Sequence, residues 1–287
     1  MGTSSAAGSD GKWSVDFSID TRWNATIVIN GSSGVFAVLH DVAFGEVLLC
    51  SGQSNMELAV AGPPLTPAME TGIRVMRPDH WSSPNVTQDT VTWHHSWDGT
   101  GTACTDRCGG PWGSLGDNTQ FSAVCKFTAT SLFQSWNGTV PIGLVESAWG
   151  GTRIESWSSP DALAQCPDDT TAGCGPPIGG NSQMGRMNST NSGNLCSAAY
   201  NGMLHPLLPM RFKAMLWYQG ESNLDPFEGE WAGARNYACR ARAAVVDWRA
   251  KFEQPNMPFF FVELAACNDY DDATVTFPLL RQVCFLI

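Results

Sequence analysis

A chain of 287 residues, 43% of them hydrophobic, is long enough to bury one large core or two smaller ones. Acidic residues outnumber basic ones 27 to 16, giving a formal charge of −11 and a pI near 4.7. That balance excludes nucleic acid and anionic membrane as expected partners, since both call for a basic surface, and it obliges any anionic ligand to meet a local cation.

Residues 1–11, rich in Gly, Ser and Ala, are expected to be disordered. They hold no basic stretch and no apolar h-region, so no signal peptide is read there, and Ala6 breaks the myristoylation pattern. No run of about 18 uncharged apolar residues occurs, so no transmembrane helix is expected. From Trp13 the pattern changes. WSVDFSID alternates apolar and polar residues, ATIVIN follows, and the turn-like GSSG leads into VFAVLHDV. Three short strands make a poor domain alone. Residues 12–45 are therefore read as the last strands of a β-sandwich whose earlier strands are missing here, stacked against the sheet that follows.

Residues 46–287 form the second unit. Strands are expected at Glu46–Cys50, Val140–Glu146, Ala214–Tyr218 and Phe259–Leu264, and helices at Ser122–Trp136 and Trp231–Lys251. Alternation of this kind predicts an α/β fold with a parallel, doubly wound sheet. Between them, residues 160–194 are rich in Gly, Ser, Asn and Asp and read as an excursion loop pinned by cysteines.

The ten cysteines include no C-x-x-C pair, so a zinc ribbon is disfavoured. Five N-x-S/T sequons occur, at Asn24, Asn30, Asn85, Asn137 and Asn188. Sequons and cysteines together indicate an oxidising lumenal or extracellular compartment, with Cys50 inside its apolar strand read as a buried thiol. A lumenal composition without a targeting segment suggests that the natural start lies upstream.

Three segments share one structural position, the carboxyl end of a predicted strand: SGQSNM at 51–56, ESAWGGTRIESW at 146–157 and WYQGESN at 217–223. Such loops are where open α/β sheets bind ligands. Ser54 has two readings. It is a candidate nucleophile, and with Glu57 it also matches the S-x-x-E capping box, which would occupy its hydroxyl with a backbone N–H. Serine acyl transfer needs a hydroxyl, oxyanion donors, and a base held by an acid. Ser54 offers the first; Gly150, Gly151 and Gln219 offer donors. The α/β-hydrolase elbow G-x-S-x-G is not matched, because Met56 stands where its second glycine belongs.

GEVLLCSGQSNME, FSAVCKF, GLVESAWGGTRIESW, LCSAAYNGMLHPL and KAMLWYQGESN together resemble the sialate O-acetylesterase family of SGNH hydrolases over roughly residues 12–265. The resemblance implies a flavodoxin-like, three-layer αβα sheet joined to a β-rich domain, no cofactor, and O-acetylated sialic acids as substrates. It implies Ser54 as nucleophile. Its own N–H, an N–H of the Gly150–Gly151 pair, and the Gln219 amide would form the oxyanion hole. Asn55, Trp149, Arg153 and Glu221 are the substrate-side candidates.

The family's D-x-x-H pattern is not matched. Three residues before His40, His80, His94, His95 and His205 stand Ala37, Arg77, Val91, Thr92 and Gly202. The chain is accordingly expected to stop before its base and acid, which makes turnover by this chain doubtful. His205 is the substitute base nearest a family motif, with a packing role as the alternative. Arg153 is the candidate cation for a sialic acid carboxylate, with a salt bridge to Glu155, Glu146 or Glu221 as the alternative. Glu221 more simply braces its loop, and Trp149, Trp157 and Trp217 suit core packing as well as sugar stacking. The expected function is a lysosomal or secreted carbohydrate O-acetylesterase. The alternatives are an inactive glycan-binding or non-functional truncated form, and an esterase of another polysaccharide such as acetylated xylan.

Overall fold

The computed structural model describes residues 2–4, 15–17, 22–31, 34–60, 62–91, 110–116, 120–166, 194–224 and 232–264. Its centre is a six-stranded sheet built from β5 (Glu46–Gly52), β6 (Ile73–Arg77), β7 (Gly110–Ser114), β8 (Ile142–Ala148), β9 (Ala214–Tyr218) and β10 (Phe259–Phe261). The spatial order is β10-β9-β5-β8-β6-β7, parallel except for β7. β5 lies in the middle. The chain leaves it towards β6 on one side and later reaches β9 on the other, so the carboxyl end of β5 is a topological switch point.

Side-chain alternation along the strands divides the core in two. Leu48, Cys50, Ile142, Leu144, Ala214 and Leu216 face one side, where they meet Cys125, Ala129 and Phe133 of α3 (Ala123–Ser135). Leu49, Val145, Met215 and Trp217 face the other, where they meet α6 (Ala232–Lys251) and the π-helical turn Tyr200–Leu204. α6 supplies Tyr237, Ala241, Ala244, Val245 and Trp248, the i, i+4, i+7, i+8, i+11 stripe of one helical face. The result is the three-layer αβα arrangement expected from the alternation. Both disulfides between described residues tie a helix to the body. Cys50, read from sequence as a buried thiol, is bonded to Cys125 and fastens β5 to α3; Cys166 is bonded to Cys239 of α6.

Two strands of the central sheet escaped the sequence reading. β6 is bracketed by Arg74 and Arg77, and β7, GPWGS, carries the residues that usually punctuate loops. Pro111 is tolerated because β7 is the sheet's edge and pairs only with β6. Near the N-terminus, β1 (Gly2–Ser4) pairs antiparallel with β2 (Val15–Phe17), although residues 1–11 were expected to be disordered; residues 5–11 lie outside the described residues. β3 (Arg22–Gly31) and β4 (Gly34–Phe44) form a separate antiparallel ribbon. It does not stack on the sheet, whose faces are already covered by helices. It reaches the body through Trp23, edge-on to Phe133 at 6.4 Å, and through Asp41, paired with Arg74 at 2.8 Å. Val28, Val38 and Leu39 of the ribbon remain exposed.

Candidate active site

β5, β8 and β9 end in register. Gly52 pairs with Ala148 on one side and with Tyr218 on the other, so the three motif loops leave the sheet at one level. Backbone bonds fasten them together. Gln53 N–H donates to the Tyr218 carbonyl at 3.0 Å, and Trp149 N–H donates to the Gly52 carbonyl at 3.0 Å. Gly52 is required here: its φ is +141°, and a Cβ would lie 2.1 Å from the Tyr218 carbonyl oxygen.

Ser54 opens the four-residue helix α1 (Ser54–Glu57), but the residue before it, Gln53, occupies the N-cap position and makes no side-chain cap bond. The capping-box reading is thus overturned. Glu57, its would-be partner, turns into the protein. Its Oε2 accepts the N–H of Gly150 at 2.5 Å, and its Oε1 lies 2.5 Å from His80 Nε2. His80 in turn stacks on Trp149, with centroids 4.8 Å apart and planes within 8°. Gly150 packs directly on the serine. A Cβ added to it would lie 3.3 Å from Ser54 Cβ and 3.1 Å from Glu57 Oε2.

The two remaining loops are held by amides. Gln53 Oε1 accepts from Gly220 N–H at 3.3 Å, Ser222 N–H at 3.1 Å and Gln219 Nε2 at 3.1 Å. Gln219 Nε2 also faces Thr152 O at 3.1 Å and Asn223 Oδ1 at 2.8 Å, while Tyr237 donates its hydroxyl to Gln219 Oε1 at 2.8 Å. Asn223 reaches both oxygens of Glu155 and accepts the Ile154 N–H. Asn194 accepts the Arg153 N–H and donates to the Gly151 carbonyl, each at 2.9 Å.

These bonds sort the sequence candidates. Ser54, Asn55, Trp149, Gly150, Gly151, Arg153, Gln219 and Glu221 all lie on the three converging loops. Two proposed oxyanion donors, the Gly150 N–H and the Gln219 amide, are already engaged by protein acceptors and would have to exchange partners to serve an oxyanion. Gly151 has φ +74° and open space where a Cβ would stand. Asn55 Nδ2 donates to Glu221 Oε1 at 2.5 Å, a contact that braces the loop, while Glu221 Oε2 is buried without a hydrogen-bond partner among the described residues. Trp157 and Trp217 are core residues, 0% and 1% exposed. His205 packs against Tyr200 and contacts the Gln88 carbonyl, the structural role foreseen as its alternative. Asn24, Asn30, Asn85 and Asn137 are exposed. Asn188, His94 and His95 lie outside the described residues.

Sequence reasoning missed Glu57 and His80 as a pair. Their 23-residue separation matches no motif, and only the return of the chain after β6 brings them together. It also missed Gln53, Asn194 and Asn223, whose amides hold the loops in place.

Charge beneath the site is paired in the interior. Glu146 on β8 is bound to Arg77 and accepts the Ser122 N–H at 2.8 Å. Burial nevertheless raises its pKa from 4.5 to about 7; Arg77 opposes the rise and the nearby Glu57 charge adds to it. The folded chain therefore keeps a proton on Glu146 that the unfolded chain releases above pH 4.5. Its stabilising contribution is full below pH 4.5 and is lost as pH rises through about 7, at about 1.4 kcal/mol per pH unit between. In Glu146→Gln this slope is expected to vanish, so the variant's melting temperature gains on the parent's from pH 4.5 to 7. Parallel profiles from thermal scans across that range would contradict the assignment. On the other side of the site, Arg240 is bound to the buried Glu155, and both burial and the neighbouring Arg153 charge lower its pKa to about 10. Two guanidiniums thus share a neighbourhood with one carboxylate.

A model of the family described as carbohydrate esterase, sialic acid-specific acetylesterase, matches residues 45–278. Sialate O-acetylesterases from Homo sapiens and Mus musculus are 30% and 31% identical to this chain, covering 85% of it and 44% and 47% of their own lengths. The chain thus spans about half the length of the curated relatives it matches. Among solved structures, a carbohydrate acetylesterase from Xanthomonas citri matches with a TM-score of 0.71 at 26% identity, over 96% of this chain and 55% of that one.

Proposed function

This chain belongs to the sialic acid-specific acetylesterase family of carbohydrate esterases, and from that premise we propose that it carries the serine half of an O-acetylesterase site for sialic acids. The observation that supports the reading best is Ser54, at the head of α1 beyond the central strand, with Gly150 packed against it. In this mechanism the Ser54 Oγ attacks the acetyl carbonyl and passes its proton to a base. The oxyanion is met by the Ser54 N–H and the Gly150–Gly151 loop, the sugar leaves as an alcohol, and water then releases acetate from the acyl-serine. Arg153 supplies the cation for the sialic acid carboxylate. On this reading the chain acts in an oxidising compartment, lysosomal or extracellular, a reading that the two disulfides support.

A second reading is favoured by one contact. Among the described residues, the histidine of this cluster, His80, pairs with Glu57 rather than with the Ser54 hydroxyl. On that reading the chain binds acetylated sugar without turning it over.

Acetate release and equilibrium binding with a 9-O-acetylated sialoside, with Ser54→Ala as control, separate the two. Release abolished by the substitution supports the esterase; binding without release supports the second; neither outcome in a folded protein sinks both. If acetylated xylan is hydrolysed as well as the sialoside, the substrate assignment fails. Arg153→Ala is expected to raise KM for the sialoside by roughly 10- to 100-fold, the worth of one charge-assisted pair, and to leave an uncharged acetyl ester unaffected.

A further inference from the structure

A cleft of about 760 Å3 opens at the other end of the sheet, between the β3–β4 ribbon and the edge strands, walled by Trp23, Trp112, Asn24, Asp41, Thr71 and Arg74. Arg74 is the second residue of β6 and pairs with Ser114 at the end of β7. This places the cleft at the amino ends of the parallel strands, about 20 Å from the carboxyl ends that carry Ser54. Its volume is that of a small-ligand site.

Both indoles are held from behind and open in front. Trp23 rests on Phe133, and its ring edge would lie 3.0 Å from a Cβ on Gly72. The ring edge of Trp112 would lie 3.0 Å from a Cβ on Gly143. Glycine at those two positions lets the rings seat against the backbone, yet Trp23 is still 38% exposed and Trp112 44%. Around them stand the Asp41–Arg74 ion pair and the Thr71 hydroxyl, polar groups that reach the rim. Aromatic faces beside planar polar groups are what a pyranose ring requires, its C–H face on the indole and its hydroxyls on the rim.

The two sequons next to this cleft identify the sugar. Asn24 of Asn24-Ala25-Thr26 is itself a wall residue, exposed, with φ +51° at an irregularity in the β3–β4 register. Across the cleft, Gly138 belongs to Asn137-Gly138-Thr139. We propose that the cleft is the seat of the chain's own N-linked glycan, whose first N-acetylglucosamine units, attached at Asn24, fold back over Trp23 and Trp112. Attachment follows the usual exchange: the Asn24 amide nitrogen bonds to the anomeric carbon of a lipid-linked oligosaccharide, losing one proton as the lipid pyrophosphate leaves. Because the sugar is tethered inside the cleft, its effective concentration is on the order of millimolar, and weak stacking suffices to hold it. The assignment is independent of the esterase reading.

The test uses protein from a eukaryotic secretory host, treated without denaturation with a peptide N-glycosidase and followed site by site by mass spectrometry. Asn24 is expected to be occupied and to lose its glycan at least tenfold more slowly than Asn85 or Asn30, and Trp112→Ala is expected to remove that difference. Asn24→Gln is expected to lower the melting temperature by about 2–4 °C, and Asn85→Gln to leave it unchanged. An unmodified Asn24, equal release rates in the parent protein, or equal melting of the two Gln variants would each overturn the proposal.

Discussion

Replacing Glu57 by alanine is expected to damage the site and the fold together, whereas glutamine at the same position is expected to be largely tolerated. The Glu57 side chain is 1% exposed, and its partners among the described residues include the Gly150 N–H and His80. Alanine leaves a buried N–H and an imidazole without their acceptor, at a cost of roughly 2–4 kcal/mol in stability. It also releases the loop that packs on Ser54, and small displacements at a reacting centre slow turnover by about 100-fold. Glutamine keeps one carbonyl oxygen for Gly150, so its variant should retain most of both properties. Thermal melting and acetate release on the two variants check this. An alanine variant matching the parent in both would show that Glu57 neither anchors the loop nor orients the histidine.

Alanine at Gly52 is expected to be the most damaging single change in the three loops, costing more than about 4 kcal/mol or preventing folding. The added methyl would meet the Tyr218 carbonyl oxygen at 2.1 Å, a clash with backbone that side-chain rotation cannot relieve, and φ +141° adds strain. At Gly150 the same substitution meets the Glu57 carboxylate at 3.1 Å, Ser54 Cβ at 3.3 Å and Ser54 Cα at 3.5 Å, none of them a clash below 3.0 Å. The Gly150 variant should fold, with a melting temperature near the parent's, and lose roughly 10- to 100-fold in acetate release. Melting and activity therefore move apart at the two glycines. Wild-type melting in Gly52→Ala would refute the strand contact on which the site's geometry depends.

The chain order of strands and helices was largely legible. β9 was expected at Ala214–Tyr218 and is found there, and α3 occupies Ala123–Ser135 inside the expected 122–136. Buried parallel strands are continuous apolar runs, and helices carry their own periodicity, so local chemistry suffices for both. β6 and β7 were not legible, because the glycines and proline of β7 are acceptable at the sheet edge, and Arg77 of β6 is acceptable in the interior through its pairing with Glu146 on β8. The same limit applies to cysteine. Cys50 in its apolar strand is indistinguishable from a buried thiol until α3 is packed beside it.

By itself the sequence determined that three short motifs follow three strands, that a serine stands in the first and a glycine pair in the second, and that the surface is acidic. These are properties of segments, set by local periodicity and composition. Only the tertiary structure decided what each side chain touches. It brought the three loops to one level through the register of β5, β8 and β9, turned Glu57 from a cap of its own helix towards Gly150 and His80, and engaged Gln219 with interior acceptors. The reason is that a polar side chain takes the best partner within about 3 Å, and which partners those are depends on strand order and register, quantities that no single segment carries.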